Sequence, residues 1–139
     1  MLVYLAVNNG RPSRVVDVAV RYGISRNHLL KVALRLGRLG YVSTQRGRTG
    51  GIALAMSPDE INLGNVVRQM EVDFALVECM HLDGGKCVIS PSCRLMGVVR
   101  KALDAFLSVF DDYSLADIVG NSDVLAELLG LPGESLKPA

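Results

Sequence analysis

Three cysteines are the residues of this 139-residue chain whose type and spacing could do chemistry. Cys79, Cys87 and Cys93 fall within one short segment, and an odd number of thiols argues against a disulfide framework. Their spacing, Cys-x7-Cys-x5-Cys, is wider than the closely spaced Cys pairs of a mononuclear zinc site, which also needs four ligands. Because an iron–sulfur cluster is larger than one ion and is held by thiolates, the pattern favours a cluster.

Other interpretations of the three cysteines stay open. A zinc site or a thiol-redox switch would use the same residues, and three buried, unreactive cysteines would need no ligand at all. A thiol enzyme is disfavoured, because no Cys–His–Asn or Cys–His–Asp arrangement with a recognisable local signature occurs, and we expect a protein that is not an enzyme. Lys86 and Arg94 lie beside the cysteines and would help to balance the negative charge of a cluster.

Charge is divided unevenly along the chain, although the formal net charge is only +1. Residues 1–56 carry nine lysines and arginines and a single acid, Asp17, whereas residues 57–139 carry six bases and thirteen acids. An excess of this size favours a segment that binds a polyanion such as DNA over a basic surface that is merely solvated. Two segments of opposite sign indicate two different tasks.

The basic segment has the order of elements of a winged helix-turn-helix. A short apolar helix, with Ser13 as a candidate cap, ends at Gly23, and a second helix runs from about Arg26 to Arg38. Two β-like runs then flank a glycine-rich turn, which predicts a hairpin. In this fold the second helix enters the major groove of double-stranded DNA, and arginines at the hairpin tip enter the minor groove.

The exposed polar residues of these elements are the candidate DNA contacts. Arginine can form two hydrogen bonds to guanine, and asparagine can form two to adenine. The expected DNA-binding residues are Ser25, Arg26, Asn27, His28, Lys31, Arg46 and Arg48. The apolar residues of the second helix, which are predicted to face inward, are Leu29, Leu30, Ala33, Leu34 and Leu36.

A long helix predicted from Cys93 to about Phe110 carries a broad apolar face. Its apolar residues recur at intervals of three and four: Leu95, Val98, Val99, Ala102, Phe106, Val109 and Phe110, with Leu103 and Leu107 beside them. Such a face is either core or a subunit interface. DNA-binding proteins of this class usually bind as two-fold dimers, so we expect a homodimer on an inverted-repeat operator.

The expected fold is mainly α with a small β wing: a winged helix-turn-helix plus a long dimerisation helix. We expect the DNA-binding region at residues 1–56 and a linker helix with the cluster-binding loop at 57–92. The dimerisation helix and a following capped helix are expected at 93–120, with a tail at 121–139. The longest apolar runs are too short to span a bilayer, and no basic region precedes the first, so we expect a cytoplasmic protein.

Several motifs together resemble the Rrf-type winged-helix regulators, and in particular their nitric-oxide-sensing repressors. The motifs are YGISRNHL at 22–29, KV at 31–32, LGRLGYV at 36–42, RGRTGG at 46–51, DFALVEC at 73–79, PSCRL at 91–95 and YSLAD at 113–117. The resemblance covers about residues 1–120. It implies a homodimeric bacterial transcription factor in which the three cysteines bind an iron–sulfur cluster (2Fe–2S or 4Fe–4S), and in which nitric oxide attacks the cluster and releases DNA.

Some features depart from the family pattern. Relatives begin earlier in the first helix, where the nitric-oxide-sensing branch has an aspartate that is the fourth ligand of the partner subunit's cluster, whereas this chain opens at Met1. His81 and Asp83, in the first cysteine loop, are candidate substitutes for that ligand. Met96 stands where the cluster-assembly branch has a histidine, which argues against that branch, and Thr49 replaces a common glycine of the wing. Another cluster-sensing role within the family, or a zinc or thiol-redox switch, is the alternative.

Overall fold

The computed structural model describes residues 1–47, 50–71, 73–81 and 86–132, which form helices and one small hairpin. The α-helices are α1 (Leu2–Val7), α2 (Val15–Tyr22), α3 (Arg26–Arg38), α4 (Leu63–Met70), α5 (Leu95–Asp111), α6 (Leu115–Ile118) and α7 (Ser122–Leu128), and the strands are β1 (Val42–Gln45) and β2 (Gly51–Leu54). Short 3-10 turns cover Pro58–Glu60, Glu78–Met80 and Ser90–Ser92. The predicted mainly helical fold with a small wing is confirmed.

A tight turn joins α2 to α3. Gly23 adopts φ 63°, the left-handed conformation that glycine takes without steric cost. The N–H groups of Gly23 and Ile24 donate to the carbonyls of Val20 and Ala19, which satisfies the end of α2. The chain can therefore leave α2 and start α3 within three residues, and this places the two helices against each other.

The described residues fall into two compact units. The wing unit comprises residues 1–61 together with the segment from Ser114 onward, and the cysteine unit comprises Asn62–Tyr113. In the wing unit α1 packs against β2, α6 and α7. Its fully buried side chains are Leu5, Val18, Ile61 and Leu115, and the N–H of Leu115 donates to the carbonyl of Ile61 at 2.8 Å.

The cysteine unit is built on the packing of α4 against α5. Asn62 caps α4 by accepting from the N–H of Asn65, and its amide donates to the carbonyl of Asp111 at 2.7 Å. Arg68 on α4 donates two hydrogen bonds to the Asp111 carboxylate. Because a Cβ at Gly64 would collide with this carboxylate, the glycine permits the ion pair to form.

Three local predictions from the sequence are wrong. Ser13 does not cap α2, whose N-cap is Arg14; instead its backbone exchanges two hydrogen bonds of 2.8 Å with Ile52. The long helix begins at Leu95 rather than at Cys93, because residues 90–92 form a separate 3-10 turn. Leu30 and Leu34 are exposed, at 41% and 58%, although they were expected to face inward.

No described helix combines the length and the apolar composition that crossing a bilayer requires.

Candidate DNA interface and cysteine site

The first turn of α3 presents polar side chains to solvent. Ser25 is the N-cap of the helix, and Arg26, Asn27, His28 and Lys31 follow it, all of them exposed. The helix is anchored on its other side by its buried leucines, Leu29 and Leu36. The five predicted residues at the start of this helix are therefore all accessible to a partner.

The hairpin that follows is fastened to the start of α2. Gly51 lies so close to the backbone of Ser13 that a Cβ there would come within 2.6 Å of its carbonyl oxygen. Gly47 adopts φ 119°, and the N–H of Gly50 donates to the carbonyl of Gly47 at 3.0 Å. These contacts require glycine and hold exposed Arg46 at the end of β1. Arg48, the other predicted contact of the hairpin, lies outside the described residues.

Within residues 1–56, acidic charge is confined to one ion pair. Asp17, the single acid of residues 1–56, accepts two hydrogen bonds of 2.9 Å from Arg14. These bonds raise the pKa of Arg14 above its ordinary value. Since no other acid lies in this segment, the positive charge of its remaining bases is left in excess, which suits a phosphate backbone.

The three cysteines lie on the irregular segment of the cysteine unit that precedes α5. All are free thiols; Cys79 and Cys93 are half-buried and Cys87 is exposed. The N–H of Lys86 donates to the Glu78 carboxylate at 3.1 Å, which fastens the two sides of the first cysteine loop.

His81 and Asp83 behave differently as candidate ligands. The Nδ1 of His81 lies 3.0 Å from the Asp73 carboxylate, so this ring nitrogen is already engaged. Asp83 lies outside the described residues. Neither Asp73 nor Glu78 could have been identified as a loop contact from spacing, because acidic residues occur throughout this half of the chain.

The second cysteine loop is a short hydrogen-bonded turn. The N–H of Ser90 donates to the carbonyl of Cys87 at 3.2 Å, and the N–H of Cys93 donates to the carbonyl of Ser90 at 3.3 Å. The Oγ of Ser90 is buried and finds no hydrogen-bond partner among the residues that the structure describes. Sequence analysis missed this residue, since a serine between two cysteines has no distinctive signal. Beside the turn, Cys93 and neighbouring residues line a shallow cavity of about 350 Å³.

The cysteine segment offers donors of a particular kind to a metal group. Within the described ranges, no three side chains of His, Cys, Asp and Glu lie close enough together to hold a single metal ion. A cluster of several irons does not need ligands that converge on one point, and metal binding commonly completes the order of its own loop. Three free thiols and one unmet buried hydroxyl in the same segment therefore fit an iron–sulfur cluster in their chemistry.

The long helix α5 has an apolar face that the described residues of the chain do not cover. Leu103 and Leu107 are buried, whereas Leu95, Val98, Phe106 and Val109 are each more than half exposed. The ring of Phe106 contacts that of Phe110 edge-on, with centroids 5.2 Å apart. A face of this length on one helix is large for a solvent-exposed surface and suits a second copy of the chain.

Comparison with known proteins gives the family. Residues 1–121 match the family Rrf2, described as iron-dependent transcriptional regulators. The chain is 49% identical over 130 residues to the HTH-type transcriptional regulator NsrR of Bacillus subtilis, covering 93% of this chain and 89% of that protein. It is 48% identical over 130 residues to NsrR of Bacillus licheniformis, covering 93% of this chain and 91% of that protein.

Solved structures share the fold. CymR, the global cysteine regulator of B. subtilis, superposes with a TM-score of 0.63 at 24% identity, covering 86% of this chain and 88% of that chain. IscR of T. potens superposes with a TM-score of 0.62 at 22% identity, covering 88% of this chain and 84% of that chain. At these identities the likeness supports the winged-helix architecture and carries no ligand across.

Proposed function

The chain belongs to the Rrf2 family of iron-dependent transcriptional regulators, and we propose that it is a homodimeric repressor whose binding to operator DNA is controlled by an iron–sulfur cluster sensitive to nitric oxide. The observation that carries this proposal is that one chain contains both an exposed polar helix turn suited to DNA and a set of free thiols suited to a cluster. The wing unit exposes the polar first turn of α3, and the cysteine unit holds three free thiols. Acting on chromosomal DNA places the protein in the bacterial cytoplasm.

The wing unit supplies the DNA contacts. Arg26 and Asn27, on the first turn of α3, contact base edges in the major groove, with Ser25, His28 and Lys31 beside them. Arg46 and Arg48 contact the minor groove and phosphates at the hairpin. The excess positive charge of residues 1–56 adds affinity for DNA that does not depend on base sequence.

The cysteine unit supplies the sensor. The thiolates of Cys79, Cys87 and Cys93 hold the cluster, which when bound supplies iron that nitric oxide can attack. Ligation by these three cysteines would fix their positions relative to α5, and loss of the cluster would remove that constraint. The three cysteines directly precede α5, the proposed dimer helix. A change at the cysteines would therefore act on the helix whose pairing sets the spacing of the two DNA half-sites.

The dimer part of the proposal has a direct test. Replacing Phe106 by aspartate places a charge on the face of α5 that a second copy would cover, and burying an unpaired charge is costly. We expect Phe106→Asp to sediment as a monomer at micromolar concentration, whereas a matched Arg100→Asp change, also at an exposed position on α5, leaves the dimer intact. A parent protein that is itself monomeric would contradict the dimer.

The second candidate is a zinc or thiol-redox switch at the same cysteines. Its thiol-redox form is favoured by the exposure of Cys87, since an accessible thiol can be oxidised. Metal analysis of anaerobically purified protein separates the candidates. The cluster predicts equal amounts of iron and acid-labile sulfide, whereas zinc, or no metal, would favour the switch.

A further inference from the structure

The side chain of Ser90 is the strongest unexplained feature of the cysteine unit. Among the residues that the structure describes, its Oγ is the one buried side-chain nitrogen or oxygen without a hydrogen-bond partner. Buried hydroxyl groups nearly always have a partner, because removing them from water without one costs free energy. The hydroxyl is therefore a donor that is left available to a group other than the described residues.

Ser90 is fixed by its backbone between two of the cysteines. Its N–H donates to the carbonyl of Cys87, and its carbonyl accepts from the N–H of Cys93. Pro91 follows it in the 3-10 turn and restricts the backbone further. The hydroxyl is therefore carried on the same short turn as two of the thiols that bind the cluster in the proposed function.

Sulfur atoms of an iron–sulfur cluster are acceptors for such a hydroxyl. They carry negative charge, and hydrogen bonds to them are one of the means by which a protein sets the stability and potential of a cluster. We propose that the Ser90 hydroxyl donates a hydrogen bond to a sulfur of the cluster held by Cys79, Cys87 and Cys93. This inference rests on the proposed function and extends it to a residue that is not a ligand.

The hydrogen bond would make Ser90 a positioning residue with two effects. It stabilises the negatively charged cluster, so iron is lost more slowly. It also raises the reduction potential, because a donor to sulfur favours the more negative, reduced state more than the oxidised one. Neither effect is expected of Ser92, which lies on the same turn with an exposed side chain.

The test compares the parent with Ser90→Ala, Ser90→Thr and Ser92→Ala, all reconstituted without oxygen with iron and sulfide. Cluster absorbance is followed in a chelator, and the reduction potential is measured by dye-mediated titration. We expect Ser90→Ala to lose iron about tenfold faster than the parent and to have a lower potential. Ser90→Thr, which keeps a hydroxyl, and Ser92→Ala should both resemble the parent.

Thermal unfolding of the metal-free proteins separates this role from a structural one. Because the hydroxyl has no protein partner, metal-free Ser90→Ala should be as stable as the parent or slightly more stable. Equal iron loss and equal potentials in Ser90→Ala and Ser92→Ala would overturn the inference, as would a Ser90→Ala change that weakens only the metal-free fold. A parent protein that takes up no iron and sulfide would overturn the proposed function, and the role inferred for Ser90 would fall with it.

Discussion

The wing unit and the cysteine unit differ in how fully each is packed by its own residues. The largest fully buried side chains of the described chain, Leu5, Val18, Ile61 and Leu115, all lie in the wing unit. In the described part of the cysteine unit, the buried hydrophobic side chains are Leu103 and Leu107, each 9% exposed. The wing unit therefore has a closed core, whereas the described part of the cysteine unit has a single layer of packing between α4 and α5.

The groups that the described residues leave without a partner or a cover are also concentrated in the cysteine unit. The cysteine unit carries three free thiols, the unmet hydroxyl of Ser90 and the uncovered face of α5. Each of these would be covered by something outside the single chain: a cluster for the thiols and the hydroxyl, and a second copy for the helix. Under the proposed function, the wing unit completes its DNA surface with its own core, whereas the cysteine unit would be stabilised by what it binds.

The largest effect is expected at the cysteines themselves. Serine at Cys79, Cys87 or Cys93 removes a thiolate that the cluster needs, so each variant should lose nearly all of its iron and sulfide on anaerobic purification. The melting temperature of the metal-free protein should not change, because the three thiols are free and none of them is fully buried. A variant that keeps its full iron content would remove that cysteine from the site.

The next largest effect tests the core of the wing unit. Leu115 is 1% exposed, and truncating a leucine buried to this extent leaves a cavity. Leu115→Ala should therefore lower the free energy of unfolding by about 2–5 kcal/mol, measured in urea. Leu76→Ala in the cysteine unit, where the leucine is 62% exposed, is the matched control and should change the free energy of unfolding by less than about 0.5 kcal/mol. Equal losses of unfolding free energy in the two variants would contradict the difference in packing between the wing unit and the cysteine unit.

Local signals in the sequence predicted many of the elements. Gly23 marks the turn between α2 and α3, and α3 spans Arg26–Arg38 as expected. The capped helix expected after the dimerisation helix is α6, and Ser114 and Asp117 form a capping box at its start. Such features depend on residues three or four apart, and the sequence displays these directly.

Features that depend on distant residues could not be predicted. Ser13 has the side chain of an N-cap, but pairing with Ile52 in the hairpin takes its backbone instead. Leu30 and Leu34 share the apolar spacing of α3, yet periodicity does not reveal how wide a strip the neighbouring elements will cover. The burial of Ser90 and the Asp73–His81 contact are likewise set by the folded loop.

An intermediate effect tests the proposed DNA surface. Alanine at Arg26 or Asn27 should weaken binding to a selected operator by about 1–3 kcal/mol and relax specificity at particular base pairs. Alanine at Arg46 should weaken binding evenly across sequences and reduce its dependence on salt. Arg100→Ala, on α5 in the cysteine unit, is the control. Parent-like binding by all three wing variants, in fluorescence anisotropy, would contradict this surface.

The smallest effect concerns two carboxylates, one in each unit. Hydrogen bonds from the hydroxyl and N–H of Ser114 lower the pKa of Asp117, and the hydrogen bonds of Arg68 lower the pKa of Asp111. A lowered pKa means that the stabilisation is present above the ordinary value of 3.8 and is lost as pH falls through the lower folded value. Asp117→Asn and Asp111→Asn should therefore melt slightly below the parent at neutral pH.

The same melts in acid complete this test. Below the folded pKa values the parent carboxyls are themselves protonated, so the differences between parent and variants should shrink toward zero. A difference that is independent of pH would show that shape, rather than charge, accounts for the contribution of that residue.

Control of DNA binding by the cluster is tested by the affinity of anaerobically purified protein for a selected operator, measured before and after addition of nitric oxide. Iron and sulfide are determined in the same samples, and Cys93→Ser is measured in parallel. We predict tight binding by the iron-loaded parent, a large loss of affinity after nitric oxide, and weak binding by Cys93→Ser that nitric oxide does not change. Iron-loaded parent that binds the operator equally well before and after nitric oxide would contradict the account.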